Sequence, residues 1–318
     1  MKRSTALQSI ALITAGIIIG LLLSGAFGFV VLQPQSKQKL VIAVQPTLSA
    51  AEVLQRAKPI EAFLEQKLPD IDVEIYVPTS YAAVVESLRR GHAHAAFMSA
   101  WPSYLAWKLA DAEVVLAEIR TVGEGDKIVE APQYYSYWVV LPDSPIKSIE
   151  DLRGKKVALP SPISTSGYVA PLAKLVELGY IQVKQGSEAD PSTFFQVVFT
   201  GGYAQSWTAL KNGDVDAAVI AGDIPESLYR EVMSNTRVIA SQGPIPSHAV
   251  VFSKELKEPL RSRLINALQE LGDREPALMK QFVSALFVRF EPTTSEKHLG
   301  GLQRYLELTN LRYSEKVG

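Results

Sequence analysis

Cysteine is absent from all 318 residues, which removes disulfides, thiolate metal sites, a cysteine nucleophile and a lipid-modified N-terminal cysteine together. Any attachment to a membrane must therefore come from the peptide itself. Histidine is scarce, with four residues at His92, His94, His248 and His298. The spacing of His92 and His94 puts both on one side of a strand, but no third ligand accompanies them, so neither a metal site nor a cofactor is expected. An excess of one charge is lacking as well: 32 Lys and Arg stand against 33 Asp and Glu. That balance lacks the basic surplus that a nucleic-acid partner draws on. No GxSxG, no HExxH and no His grouped with Ser and Asp is present, so no activated nucleophile is evident and no enzyme is expected.

What is present begins with a charge-free run from Ile10 to Leu32, preceded by Lys2 and Arg3. A stretch of about 20 apolar residues matches what a bilayer crossing requires and exceeds the apolar core of an ordinary cleaved signal. It reads as a signal anchor with a cytoplasmic N-terminus. The alternative is a cleavable leader with Ala26 and Gly28 as small residues suited to processing; both readings place the remainder outside the cytoplasm. Residues 33–39 then read as a short tether. The composition, 47% apolar and 20% charged, is that of a globular chain long enough for two medium lobes.

After the tether the chain alternates. Leu40–Val44 is a short apolar run of the buried-strand kind, followed by a helical stretch over 52–67, an alternating strand at Asp72–Val77, a helix from Tyr81, a strand at Ala93–Met98 and a helix from Pro102. The rhythm restarts with strands at Ser136–Leu141, Lys156–Leu159, Phe195–Phe199, Ala217–Ile220 and Arg237–Ala240, interleaved with helices over 167–178, 204–212 and 225–234. Val250–Phe252 is one more strand, and the tail beyond it reads as almost wholly helical. Two α/β sets with a returning tail predict two lobes and two crossings between them, leaving a cleft where a small molecule binds. The expected division is 1–39 as anchor and tether, 40–137 plus 244–318 as one lobe and 138–243 as the other.

The segment Leu159–Pro171, LPSPISTSGYVAP, ends a strand and places Ser164, Thr165, Ser166 and Gly167 directly before a helix. Hydroxyls and unpaired amides at a helix start suit an oxyanion without any metal. Ordinary capping would need only one of these hydroxyls.

The chain resembles the phosphonate, phosphite and phosphate binding proteins of ABC transporters from about Leu40 to near Phe290. The resemblance is carried by TSYAAVVESLRRGHAHAAF (79–97), YYSYWVVLPDSP (134–145), SIEDLRGKKVAL with STSGYVAP, VDAAVIAGD (215–223) and GPIPSHAVVFSKEL (243–256). It implies a two-lobed periplasmic-binding-protein fold of the two-crossover type II, preceded here by one transmembrane helix. The implied role is that of the extracytoplasmic solute-binding subunit which delivers a small phosphorus oxyanion to ABC permease subunits. A binder of the same fold for another anion such as a sulfonate, or a ligand-sensing receptor, is the alternative; only nine residues precede Ile10, too few for a signalling domain on that side. The resemblance places ligand-contacting tyrosines at Tyr81 and Tyr135 and an oxyanion clamp at Ser164, Thr165 and Ser166. Three departures bear on the ligand: Tyr203 stands where the family commonly has His, Asp223 where it commonly has Glu, and His248 where it commonly has Asp. Losing one acid of a carboxylate pair removes half of an ammonium site, which points to phosphate, phosphite or a simple alkylphosphonate. Ser99, Trp101 and Gly167 are secondary candidates, Trp101 because it follows Ser99 at the end of a strand.

Overall fold

The computed structural model describes residues 37–45 and 50–312. The apolar run Ile10–Leu32 lies outside these residues, and among the described residues no helix is long and apolar enough to cross a membrane.

The first sheet is built on β1 (Gln38–Val44), β2 (Ile71–Tyr76) and β3 (Ala95–Met98), with β1 parallel to both neighbours. Antiparallel strands β4 (Glu113–Glu124), β5 (Lys127–Ala131), β11 (Ala249–Phe252) and β12 (Phe287–Pro292) complete it, in the order β12-β4-β11-β3-β1-β2 with β5 on the far part of β4. The strand β1 is apolar on both sides for a physical reason. Its alternate residues Leu40, Ile42 and Val44 face helices α1 (Ala50–Lys67) and α7 (Leu260–Arg274), whereas Ala43 faces α2 (Tyr81–Arg89) and α3 (Ala100–Ala110). Burial of Leu40, Ile42 and Val44 contributes about 1.5–3 kcal/mol each relative to exposure.

The second sheet has the order β10-β6-β9-β7-β8, from β6 (Gln133–Val140), β7 (Lys156–Leu159), β8 (Gln196–Phe199), β9 (Ala217–Ala221) and β10 (Arg237–Pro246). Helices α4 (Ala170–Glu177), α5 (Tyr203–Lys211) and α6 (Glu226–Asn235) accompany it. The chain passes from the first sheet to the second at Pro132, between β5 and β6, and returns through Ser247 and His248, between β10 and β11. The helical tail expected after residue 252 is interrupted: α7 and α8 (Pro276–Phe282) lead into β12, an edge strand fixed by antiparallel pairing with β4. The last helix, α9 (Ser295–Thr309), packs its Leu299, Leu302, Tyr305 and Leu306 into the core shared with the second sheet.

The β4–β5 turn also reaches the second sheet. Gly123 donates its N–H to the Gly222 carbonyl at 2.8 Å, and the Tyr229 hydroxyl donates to the Gly125 carbonyl at 2.9 Å. A Cβ on Gly123 would lie 2.2 Å from the Tyr229 ring, so this approach requires glycine.

Candidate anion site

A cavity of about 440 Å³ opens between the two sheets. It lies beyond the carboxyl ends of the parallel strands: Gln45 follows β1, Tyr81 follows β2, Ser99 follows β3, Ser161 to Ser166 follow β7, Tyr203 follows β8 and Asp223 follows β9. That is where open α/β sheets present ligand-binding groups, because loops there are free of the strand ladder.

Helix starts converge on the same space. Tyr81 opens α2 behind its cap Ser80, whose hydroxyl accepts from the Ala83 N–H at 3.1 Å. Ala100 opens α3, Tyr203 opens α5 and Pro225 precedes α6. Ser164 caps a turn of wide, π-type geometry, Thr165–Val169, that runs into α4. Its hydroxyl accepts from the Gly167 N–H at 2.9 Å. Each helix start carries partial positive charge, so their convergence favours a negative guest.

The hydroxyls form a connected chain. Tyr203 Oη lies 3.2 Å from Ser164 Oγ and 2.7 Å from Ser166 Oγ. The Tyr134 hydroxyl donates to Ser166 Oγ at 3.3 Å and also stands beside the Asp223 carboxylate. Burial raises the phenol of Tyr134 well above its ordinary range and raises those of Tyr203 and Tyr81 in the same direction. All three hydroxyls therefore remain protonated donors at neutral pH.

Beneath this chain sits a buried ionic cluster. Arg120 Nε and Nη2 both donate to Glu118 Oε2, at 2.9 and 2.7 Å, and Arg120 Nη1 stands 3.7 Å from Asp223 Oδ2. Burial raises the Asp223 pKa, and the opposing influences of Arg120 and the Tyr134 hydroxyl do not cancel it. His248 is held well below the ordinary imidazole value, by burial first and then by Arg120 and His298, so it faces the cavity as a neutral ring. Among the described residues no group of three or more His, Cys, Asp or Glu is placed to hold a metal ion.

The cavity thus brings together Tyr81, Ser164, Thr165, Ser166, Tyr203, Asp223, His248 and Ser99. Three expected residues lie elsewhere. Tyr135 faces the opposite side of β6, with its ring against Gly243, and lines a separate cavity with Lys174 and Arg304; Tyr134 takes the place in the cleft. Trp101, the second residue of α3, is buried and borders a separate cavity with Tyr104 and Leu306. Gly167 is packed under Pro160, whose Cγ would be 2.0 Å from an added Cβ, so it is glycine for lack of room. Gln45, Tyr134 and the Arg120–Glu118 pair escape the sequence reading. Gln45 ends the apolar run of β1 and accepts the Ser99 N–H at 2.7 Å, so the strand-end rule that singled out Ser99 would have found it. Arg120 left no signal, because Glu118 and Arg120 alternate with apolar residues as any half-exposed strand does.

This architecture, mixed α/β with a polar cleft at the strand ends, is that of periplasmic binding proteins. Residues 42–298 match the family model for the phosphonate periplasmic substrate-binding protein of ABC transporters, and the chain belongs to that family of solute-binding proteins. It is 32% identical over 211 residues to the phosphate-import protein PhnD of Mycolicibacterium smegmatis, an alignment covering 64% of this chain and 63% of that protein's own length. The fold is similar to the binding-protein component of an ABC phosphonate transporter from Pseudomonas aeruginosa, with TM-score 0.58, 19% identity and coverage of 88% of this chain and 92% of that one. It is also similar to PhnD1 of Prochlorococcus marinus, solved in complex with methylphosphonate, with TM-score 0.57, 16% identity and coverage of 86% and 99%.

Proposed function

We propose that the chain is the extracytoplasmic solute-binding subunit of an ABC importer and that it captures a small phosphorus oxyanion (phosphate, phosphite or a simple alkylphosphonate) in the cleft between its two sheets. The observation that carries this reading is the convergence of helix starts and of the Ser164, Ser166, Tyr203 and Tyr134 hydroxyls on one cavity. Neutral donors that need no reorganisation suit an anion that must be released again to a permease. The two sheets act as two lobes hinged at Pro132 and Ser247–His248, with closure bringing Tyr81 and Ser99 toward the Ser164 turn. The phosphate-import and phosphonate-binding roles carried by the names of the relatives agree with this class of ligand.

Membership of a family of transport solute-binding proteins supports binding as the role of the cleft. His248 is neutral where a second acid would complete an ammonium site, so aminoalkylphosphonates are disfavoured. The apolar run Ile10–Leu32 supports tethering to the cytoplasmic membrane, or export followed by cleavage. Titration calorimetry with phosphate, phosphite, methylphosphonate and 2-aminoethylphosphonate tests the ligand class. The first three are expected to bind with the amino compound weakest; tightest binding of the amino compound would overturn the reading.

A further inference from the structure

The first sheet meets the cavity through two side chains whose hydrogen-bonding capacity is only partly used, Gln45 and Ser99. Gln45 follows β1 and is 4% exposed. Its backbone N–H donates to the Phe97 carbonyl at 3.2 Å, which pins the residue to the neighbouring strand β3, and its side-chain Oε1 accepts the Ser99 N–H at 2.7 Å. A backbone N–H can only donate, so the arm of the amide that meets it is the oxygen, and the reversed orientation is excluded. Nε2 is therefore the other arm. It carries two N–H donors and has no hydrogen-bond partner among the described residues. Ser99 is in a similar condition: it stands in the cap position of α3, yet its side chain makes no cap hydrogen bond.

Burying a donor without an acceptor is unfavourable, so such a group in a cavity wall calls for an acceptor from the guest. We propose that Gln45 is a ligand-binding residue of the cleft: the Ser99 N–H locks its amide through Oε1, and Nε2 donates to an oxygen of the bound oxyanion. This rests on the oxyanion reading of the cleft and adds the group by which the first sheet holds the guest. The Ser164, Ser166 and Tyr203 hydroxyls belong to the second sheet and already satisfy one another, so the bond from Nε2 reaches the ligand from the opposite side of the cleft. The two kinds of donor also differ in what they accept. A hydroxyl can turn to meet either a donor or an acceptor, whereas a locked amide nitrogen offers hydrogens and no lone pair. Gln45 therefore selects a bare oxygen at its position in the guest, in preference to a hydroxyl hydrogen or an ammonium group.

The experiment uses the full chain in detergent, with phosphate, phosphite and methylphosphonate as probes. In the wild type the side-chain NH2 signals of Gln45, assigned through their connection to its own backbone, are followed by nitrogen-edited NMR during titration. One of the two protons is expected to move downfield and to exchange more slowly with water once the anion is bound. Calorimetry on two variants separates a direct contact from a supporting one. Gln45→Met removes both arms of the amide without a change of charge and should weaken binding by about 10-fold to 100-fold, the usual worth of a hydrogen bond to a charged acceptor. Gln45→Glu keeps an oxygen for the Ser99 N–H but turns the other arm from donor into acceptor, so binding should weaken at least as much. If Gln45 serves only to hold Ser99 and the start of α3, Gln45→Glu keeps wild-type affinity, and that result overturns the proposal. Wild-type affinity in Gln45→Met, or an amide signal that ignores the bound anion, overturns it as well, and each of these outcomes leaves the oxyanion site standing. Should a variant fail to fold by circular dichroism, the wild-type amide signal decides alone. A wild type that binds none of the three anions overturns the oxyanion reading and this proposal with it.

Discussion

Arg120 is the residue on which the floor of the cleft depends. Its guanidinium is wholly enclosed, and both carboxylates that it serves come from the protein: Glu118 from its own strand and Asp223 from the end of β9. Removing one member of a buried ion cluster leaves an uncompensated charge away from water, which typically costs about 3–5 kcal/mol. Arg120→Met is therefore expected to lower unfolding free energy by about that amount in urea titrations, whereas replacing the exposed partner of a surface pair, as in Arg230→Ala beside Glu226, should change it by less than about 1 kcal/mol. Equal effects of the two substitutions would show that the buried cluster is not ionic. Tyr134 and Tyr135 are neighbours in sequence with separate fates: strand alternation sends one to the cavity between the sheets and the other against Gly243 behind it.

The element that shapes the site is the turn from Pro160 to Val169. Its hydroxyls have fixed places because Ser164 caps its own turn and because Gly167 lies flat against the Pro160 ring. Gly167→Ala would push a methyl group into that ring, whose atoms cannot rotate away. A stability loss of about 1–3 kcal/mol is expected, accompanied by a drop in oxyanion affinity of about tenfold or more, since a hydroxyl displaced by a fraction of an ångström no longer meets its acceptor. Gly300→Ala is the matched control. It sits within α9 with nothing near its added Cβ and should stabilise by up to about 1 kcal/mol through helix propensity alone. Urea midpoints and calorimetry on both variants check this; an affinity unchanged in Gly167→Ala would mean the turn does not set the clamp.

At the scale of the whole molecule, stability is tied to pH through histidines behind the cleft. His298, from α9, donates Nε2–H to the Ser247 carbonyl at 3.0 Å, and burial pushes its pKa down to about 4. In the unfolded chain the value returns to about 6.5. Between these values the unfolded state binds the extra proton, so stability is fully present above about pH 6.5 and falls as the pH drops towards 4. The slope from this group approaches about 1.4 kcal/mol per pH unit, and His248 acts in the same sense. Urea unfolding at pH 7, 6 and 5 should show this decline, and His298→Gln, which keeps a donor for Ser247, should flatten it; an equal slope in the variant would remove His298 as its source. Because Ser247 and His248 form one of the two connections between the sheets, acid would loosen the molecule at that connection.

Local pattern determined much of this protein. Period-two and unbroken apolar runs located β1, β2, β3 and most of the second sheet, and the residues STSG followed by a helical pattern located the capped turn that now lines the cleft. These signals are short-range, carried by the side chains that form the element. The pairing of β4 with β11 and with the edge strand β12 joins residues more than 100 apart, so nothing within those segments announces it; the β4–β5 hairpin closes locally, and the C-terminal helix is legible as a helix but its place across both sheets is not. The same holds for the cleft: alternation separates Tyr134 from Tyr135 but cannot say which face meets the opposing sheet, and the pairing of Arg120 with Asp223 exists only where β4 and β9 come together. Sequence chose the donors; which of them converge on one cavity, and which charge lies beneath them, was decided by tertiary packing, because direction and burial are properties of contacts that the chain makes only when folded.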